Sequence, residues 1–478
     1  MERTTVTDSH VFLYANPITS NDLREPESCF IFMKTKLLLS VVIISLLSAL
    51  SAYAANEYDF KEGGVFYKIL SVPEMTVSVV KGDVEYTGKV TIPETVNYSN
   101  KTFKVTEIGE SAFASCKDVT EVSLPEGLLV INNNAFSNCG LRVCNFPSTL
   151  KRLEDYSYSA SSVREVILPN NLEYLGSGVF SNSKTERVIF GSNLKTTGRN
   201  LFSSSEVREV ILNEGLEEIR RSNFQYCKYL TSIDIPESVR LIEDYAFSKS
   251  ALETVTGMEG VRKITSFAFM ECGQLKEIAP LISIEEFETG VFIDCSKLKS
   301  LTLGDNIKKF NLAHILNCNS LESLSIGKGI QTVILVKGGL AYPDKYSLES
   351  VPLKNWTIMA DEEVPQCTAT LPNLFFLDCT LYVPSNMVSL YQNAEPWKNF
   401  FNIKDVAQSS VKDVVTEGFT VKSNNGAIEI VGYNGQDIVK VYSFDGKQVY
   451  SGLSSQISGL NKGMYIVTVG EKFSKIIL

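Results

Sequence analysis

A repeat of 22 or 23 residues limits what this chain can fold into more than any other feature of the sequence. Residues 105–124 read VTEIGESAFASCKDVTEVSL, and the same order of residue types returns as LIEDYAFSKSALETV at 241–255. One large apolar position recurs ten times, at an average interval of about 22.4 residues: Phe113, Phe136, Tyr158, Phe180, Phe202, Phe224, Phe247, Phe269, Phe292 and Ile315. So short a repeat cannot enclose its own apolar side chains, so the pattern predicts a solenoid of about ten stacked coils.

Each repeat also contains the pattern of a short strand. In the first repeat the alternation directs Val122 and Leu124 inward and Ser123 outward. Pro125 follows directly, and its missing N–H ends further pairing. We therefore predict a mainly β fold in which the strands of successive coils form a ladder and the large apolar side chains stack in a continuous column.

The order V-T-x-I-G-x-x-A-F-x-x-C-x-x-L-x-x-V-x-L-P, as it runs through these repeats, resembles the BspA-type leucine-rich repeat of bacterial surface proteins. The resemblance extends over residues 90 to about 404. It implies an exported protein of a class that takes part in adhesion and in binding host or bacterial partners. Thr197 and Ile315 depart from the pattern, and residues 331–378 match it poorly.

The flanks of the repeats resemble caps. Residues 55–104 are similar to an N-terminal cap, residues 105–330 carry the leucine-rich repeats, and residues 331–404 read as a degenerate repeat with a C-terminal cap. In that cap we expect Ser385 to begin a short helix as its N-cap. We expect Trp397, Phe400 and Phe401 to cover the open end of the solenoid, which would otherwise expose its ladder.

The N-terminal part of the chain carries an export signal. Residues 33–54 combine a short basic start, an apolar run and an Ala-x-Ala pattern, which is typical of a secretory signal peptide. A transmembrane helix is the alternative, but the apolar run, Leu37 to Leu50, is shorter than the roughly 17 to 25 residues that a span needs. Residues 1–32 are acidic, unlike an export segment, and we interpret them as a start placed upstream of the true initiator Met33. We expect no transmembrane helix in the mature chain.

The C-terminal part changes to short alternating strands. Residues 405–415 read as a linker and residues 416–478 as a small β-sandwich, with hairpin signals at Asn425-Gly426 and Asp445-Gly446. The end of the chain resembles a type IX secretion sorting domain, which implies a contact with secretion machinery. That family usually ends in a basic residue, whereas this chain ends in Leu478, and an ordinary accessory sandwich is the alternative.

Composition disfavours several function classes. Lys and Arg number 45 against 55 for Asp and Glu, so the chain lacks the basic surface that nucleic acid binding requires. Its two histidines are His10 and His314, and the first lies upstream of the predicted cleavage site. A histidine-based metal site or a Ser-His-Asp hydrolase is therefore disfavoured, and we expect no metal or other cofactor and no catalysis.

Cysteine recurs three residues after the large apolar position, where serine also occurs freely. We expect these thiols to form a structural ladder and not disulfides, because serine packs similarly but cannot be bridged. The ladder comprises Cys116, Cys139, Cys227, Cys272, Cys295 and Cys318. Cys367 and Cys379 bracket the C-terminal cap, and the sequence leaves open whether they pair.

The outward position of the strands carries three consecutive isoleucines, Ile167, Ile189 and Ile211, on an otherwise polar ladder. Next to them charge alternates from coil to coil. The alternating residues are Glu165, Arg187 and Glu209 in one row and Arg164, Glu186 and Arg208 in the other. We interpret these nine residues as a candidate ligand-binding patch. The alternative is ordinary cross-strand pairing that stabilises the ladder.

These features favour a secreted or cell-surface protein that binds a protein or glycan partner through its strands. Two other classes stay open. One is a carbohydrate-active enzyme that uses two carboxylates in a cleft, and the other is a purely structural surface-layer component.

Overall fold

In the computed structural model, residues 58–408 and 420–477 are described, apart from 339, 341, 342 and positions 425, 426, 432, 434, 444–446, 462, 463, 470 and 471. The predicted signal peptide and the segment before it lie outside the described residues. So do most of the predicted linker and both hairpin turn signals. From Tyr58 onward the chain forms one compact unit.

The predicted solenoid is confirmed. Its first ladder pairs parallel strands in register, so that Val166 lies beside Val188, and Val188 beside Val210. Three further rungs extend the ladder beyond the ten regular repeats. The strands of this ladder are Val119–Ser123, Glu165–Ile167, Arg187–Ile189, Glu209–Ile211, Ser232–Asp234, Thr254–Thr256, Glu277–Ile278, Ser300–Leu303, Ser323–Ile326, Asn355–Ile358, Thr380–Val383 and Asn402–Asp405. We call the outward side of this ladder the strand face.

A second ladder of shorter strands follows the turn in most coils. Most of its inner positions are fully buried aliphatics, such as Ile131, Leu153 and Leu175, which lie directly beside one another. The strands are Val130–Ile131, Arg152–Leu153, Tyr174–Leu175, Glu218–Ile219, Leu241–Ile242, Lys263–Ile264, Glu286–Phe287, Lys309–Asn311, Thr332–Ile334 and Gln366–Cys367.

The third side of each coil is built from turns with left-handed residues. In the first coil Ser111 and Ser115 have φ angles of 55° and 63°, and the same two positions are left-handed in later coils. This conformation costs a non-glycine residue about 1–3 kcal/mol. Backbone hydrogen bonds to the next coil offset the cost: Phe113 N–H donates to Ala135 O at 2.7 Å and Ser115 N–H to Ser137 O at 2.8 Å.

The large apolar position forms a continuous aromatic column inside the solenoid. Neighbouring rings from Phe113 to Phe292 lie 4.8–5.7 Å apart between centroids and are close to parallel. Tyr86 of the N-terminal cap extends the column by one ring, 4.4 Å from Phe113. Each ring is almost completely buried, so the column is the central apolar element of the core.

We predict that Phe202→Ala lowers the free energy of unfolding by about 3–5 kcal/mol, because it removes a fully buried ring and leaves a cavity between two others. Urea denaturation measures the loss. The matched control is Tyr229→Ala, whose ring is 46% exposed and should cost less than about 1 kcal/mol. Equal losses in the two variants would contradict a column that holds the coils together.

Both ends of the solenoid are closed by added structure. The N-terminal strands are Phe60–Glu62, Val65–Ser71, Thr76–Val80, Gly88–Thr91, Thr95–Tyr98 and Lys101–Ile108. At the other end Trp397 is fully buried and its Nε1 donates to Pro365 O at 2.8 Å. Phe400 is buried beside Trp397, but Phe401 is 79% exposed and covers nothing.

Helices are short in the described part of the chain. The α-helices are Asn373–Asp378 and Val388–Tyr391, and the 3₁₀ helices are Met258–Gly260, Leu312–Ile315, Pro343–Lys345, Ser385–Met387, Trp397–Asn399 and Val406–Gln408. Ser385 does not cap a helix as expected; Pro384 takes the N-cap position, and Ser385 Oγ donates instead to a carboxylate oxygen of Asp405.

The described residues of 420–477 fold around a separate small hydrophobic core. We call this part of the chain the tail domain. Its strands pair antiparallel in two sheets, as the alternation predicted. They are Thr420–Asn424, Ala427–Val431, Val439–Ser443, Gln448–Gly452, Gln456–Ile457, Met464–Val469 and Lys472–Ile477. Ile428, Val439, Val441 and Val467 lie fully buried between the sheets.

His314 is an ordinary core residue of the solenoid. It is 3% exposed, and its ring lies 5.2 Å from that of Phe287 and 5.6 Å from that of Phe310. Burial lowers the pKa of His314 to about 3. The folded protein therefore keeps this imidazole neutral at pH values where a free histidine is charged.

This difference makes the solenoid sensitive to acid. An imidazole in the unfolded chain takes up its proton near pH 6.5, so the unfolded state binds more protons than the folded state between pH 6.5 and about 3. We expect His314 to remove about 3 kcal/mol of stability between pH 7 and pH 4. Urea denaturation at pH 7 and pH 4 measures this loss of stability. In His314→Leu the share due to the histidine should be absent, whereas Phe310→Leu should show the same loss between the two pH values as the wild type. An unchanged acid loss in His314→Leu would refute the assignment.

Candidate functional site

The three isoleucines form a continuous apolar stripe on the strand face. Strand pairing places Ile167 beside Ile189, and Ile189 beside Ile211. Ile167 is 54% exposed and Ile211 43%, with Ile189 half-buried between them. We call these three residues the isoleucine stripe. Inward-facing Val166 and Val188 anchor the same strands in the core, so the stripe rests on a rigid support.

The charged residues beside the stripe pair across the rungs. Arg187 donates through Nη1 to Glu165 at 2.7 Å and through Nε to Glu209 at 2.8 Å. The two glutamates raise the pKa of the Arg187 guanidinium. In the second row Arg164 pairs with Glu186. Exposed ion pairs of this kind contribute little to stability, so they fix the geometry of the rows more than they stabilise the fold.

Arg208 has a different partner from the one the charge alternation suggests. Its guanidinium lies over the ring of Tyr229 at 4.4 Å from the centroid. Tyr229 is 46% exposed and occupies an extra position of the sixth coil, which has one residue more than its neighbours between Cys227 and the strand. Sequence reasoning missed this tyrosine, although the 23-residue interval from Phe224 to Phe247 marks the insertion. Tyrosine and arginine are enriched among residues that dominate binding energy, so we add Tyr229 to the candidate patch.

The cysteines of the ladder are buried thiols, and all except Cys116 donate to the backbone of the preceding coil. Cys227 Sγ lies 3.2 Å from Phe202 O, and Cys272 Sγ lies 3.0 Å from Phe247 O. Burial raises the pKa of Cys272 to about 11, so the group is a thiol at neutral pH. Cys367 and Cys379 are also free, as are the other cysteines of the described residues.

Within the described residues no group of three or more His, Cys, Asp or Glu could hold a metal ion. In the same part of the chain no helix combines the length and the apolar character that a bilayer span requires.

A cleft of about 480 Å³ lies between the strand face and the tail domain. We call it the interdomain cleft. Its solenoid wall includes the outward positions of coils six to eight, Asp234, Thr256 and Ala279, and its tail wall includes Lys440 and Tyr442. Glu214, Glu237 and Glu259 add further carboxylates to the lining. The cleft therefore combines apolar walls with several acidic groups around a single lysine.

Glu259 is the half-buried carboxyl of this cleft. Burial raises its pKa, the nearby carboxylates Asp234 and Glu237 add to the rise, and Lys440 opposes it. Asp234 in turn accepts a hydrogen bond from Thr256 Oγ1 at 2.6 Å. Neither the cleft nor Glu259 follows from the repeat pattern, because both depend on where the tail domain lies.

The fold defines a leucine-rich-repeat solenoid, a class of structure that is consistent with protein interaction. Residues 94–209 and 217–334 match, in six copies, the family model described as BspA type leucine rich repeat region. The repeats in these two ranges are thus similar to BspA-type leucine-rich repeats. A comparison with curated proteins found no match.

Solved structures with similarity to this chain include bacterial leucine-rich-repeat proteins. One from Bacteroides ovatus is 19% identical, covers 73% of this chain and 100% of its own, and has a TM-score of 0.49. The pneumococcal vaccine antigen PcpA is 21% identical, covering 72% of this chain and 98% of its own, with a TM-score of 0.36. A leucine-rich cell surface protein from Faecalibacterium prausnitzii is 16% identical over 60% of this chain and 96% of its own, with a TM-score of 0.29.

Proposed function

We propose that this protein is exported to the cell surface or secreted, and that it binds a protein or glycan partner through the strand face of coils three to five. The isoleucine stripe carries the proposal. Three adjacent apolar side chains that remain open to solvent are costly for a soluble surface, and such patches mark contact sites. The predicted signal peptide at 33–54 supports export.

The composition of the patch suits an interface. The stripe supplies an apolar centre, and the paired rows of Arg187 and Arg164 supply a polar margin, which is the usual arrangement of a protein interface. Tyr229 and Arg208 add an aromatic and a guanidinium group at one end. Because the three isoleucines project from a hydrogen-bonded ladder, the backbone beneath them needs no ordering on binding, which lowers the entropic cost of association.

The experiment is a glycan and host-matrix protein array probed with residues 55–478. We expect at least one ligand, and we expect Ile189→Asp to weaken its binding at least tenfold because a charge is placed in the centre of the apolar stripe. Ile167→Asp provides a second variant. Its position is more exposed to solvent, so the added charge should disturb folding less.

The matched control is Ser123→Asp, which adds the same charge at the same outward position of the first coil. Circular dichroism shows whether each variant keeps its fold. Binding that survives both isoleucine variants, or that falls equally in Ser123→Asp, would refute the stripe as the binding site. An array without any ligand would favour a structural role in the surface layer.

The interdomain cleft supports a second candidate, a carbohydrate-active enzyme, because a general acid needs a raised pKa and Glu259 has one. Release of reducing sugar from the glycans of the array tests it. Activity that is lost in Glu259→Gln would support catalysis in the cleft. Absence of turnover in the wild type, or equal turnover in the variant, would contradict it.

A further inference from the structure

The tail domain contacts the solenoid beside the strand face through an apolar cluster. Ile282 of the solenoid is 3% exposed and packs with Tyr442 and Ile466 of the tail domain in a cluster separate from both cores. Strand pairing places Tyr442 beside Ile466 on the outer side of their sheet, while Val441 and Val467 point into the tail core. These outer side chains are thus buried by the solenoid and not by their own domain.

Charge at the same contact is complementary. Lys440 projects from the same side of the tail sheet as Tyr442 and lines the cleft together with Glu237 and Glu259 of the solenoid. Opposite charges steer two surfaces into one orientation, and the apolar cluster supplies the burial. The contact therefore has the two parts of a specific interface, although it joins two parts of one chain.

The tail domain lies next to the isoleucine stripe. The stripe occupies coils three to five, and the cleft begins at Glu214, three residues after Ile211, and continues over coils six to eight. A specific interface buries roughly 800 Å² on each partner, which corresponds to an edge of about 28 Å. Rungs are about 4.8 Å apart, so such a footprint spans about six of them. A partner centred on Ile189 would therefore overlap the tail domain.

We propose that the tail domain is a built-in cover of the strand face that competes with a macromolecular partner for the isoleucine stripe. In the docked arrangement a ligand centred on Ile189 must be narrower than about four rungs, and a larger partner so centred must displace the tail domain first. This proposal rests on the proposed function, because a cover has a role only where the stripe binds a partner.

Docking itself is tested without any partner. Ile282→Asp places a charge against Tyr442 and Ile466, and Lys440→Glu adds a fifth carboxylate to the cleft. In hydroxyl-radical footprinting of residues 55–478 we expect oxidation of Tyr442 to rise at least threefold in both variants. Tyr465, which is buried in the tail core, should stay protected and show that the domain remains folded. The double variant Lys440→Glu with Glu259→Lys should restore protection of Tyr442.

The matched control is Leu453→Asp, which makes the same kind of change at a tail residue that is 59% exposed and outside the contact. It should leave Tyr442 protected. If Tyr442 is as reactive in the wild type as in Ile282→Asp, the docked arrangement is wrong and the proposal falls.

Competition is tested with a single-domain antibody selected on Ile282→Asp and retained only if Ile167→Asp abolishes its binding. If the docked form exceeds nine-tenths of the population, the apparent Kd of the antibody should be at least tenfold weaker for the wild type than for Ile282→Asp. Leu453→Asp should match the wild type. Equal Kd values for wild type and Ile282→Asp would overturn the cover. Because the antibody replaces the natural partner, this result is independent of whether the array identifies one.

Discussion

Registration between neighbouring coils is the constraint on which the rest of this structure depends. From Phe113 to Phe292 each coil stacks a ring on the ring before it, and each donates backbone N–H groups to the coil after it, as Phe113 does to Ala135. A coil shifted by one residue along its neighbour would place polar side chains in the core and apolar ones in water. Burial and hydrogen bonding thus select the same alignment, which is why left-handed residues such as Tyr156 and Phe267 are tolerated at positions that elsewhere hold serine, asparagine or glycine.

The same registration converts single residues into extended surface features. A side chain that recurs at one position of the repeat becomes a row, and the isoleucine stripe exists only because three neighbouring coils hold isoleucine at the outward position. The flanking charges follow the same rule, since Arg187 pairs with the residue of equal position in the coil on each side. A binding surface on such a scaffold can therefore change in extent with the number of coils that share a residue, without any change of fold.

The ten regular coils were predictable from the sequence because each repeat has the same apolar residue types at the same positions. The exceptions were not predictable, because they depend on contacts between different repeats. Thr197 occupies a position that is aliphatic in other coils. Its hydroxyl oxygen accepts a hydrogen bond at 2.8 Å from Nδ2 of Asn223, which lies in the next coil. Beyond residue 331 the period is lost from the sequence, yet Trp356 takes the position of Leu324 on the next rung after an interval of 32 residues. The place of the strand in the ladder is therefore kept there, although the number of residues between successive strands is not.

The placement of the tail domain shows where prediction from a repeat ends. The alternation of apolar and polar residues predicts its strands. It does not predict that the outward-facing Tyr442 and Ile466 are buried, because that depends on the solenoid surface opposite them. Burial of three such side chains contributes a few kcal/mol before the entropy of docking is subtracted, so the contact is weak compared with the solenoid itself. A weak contact between two separate hydrophobic cores can act as an equilibrium that a partner shifts. On our proposal the strand face has two states, one closed by its own chain and one open, and a few residues outside the stripe set the balance between them.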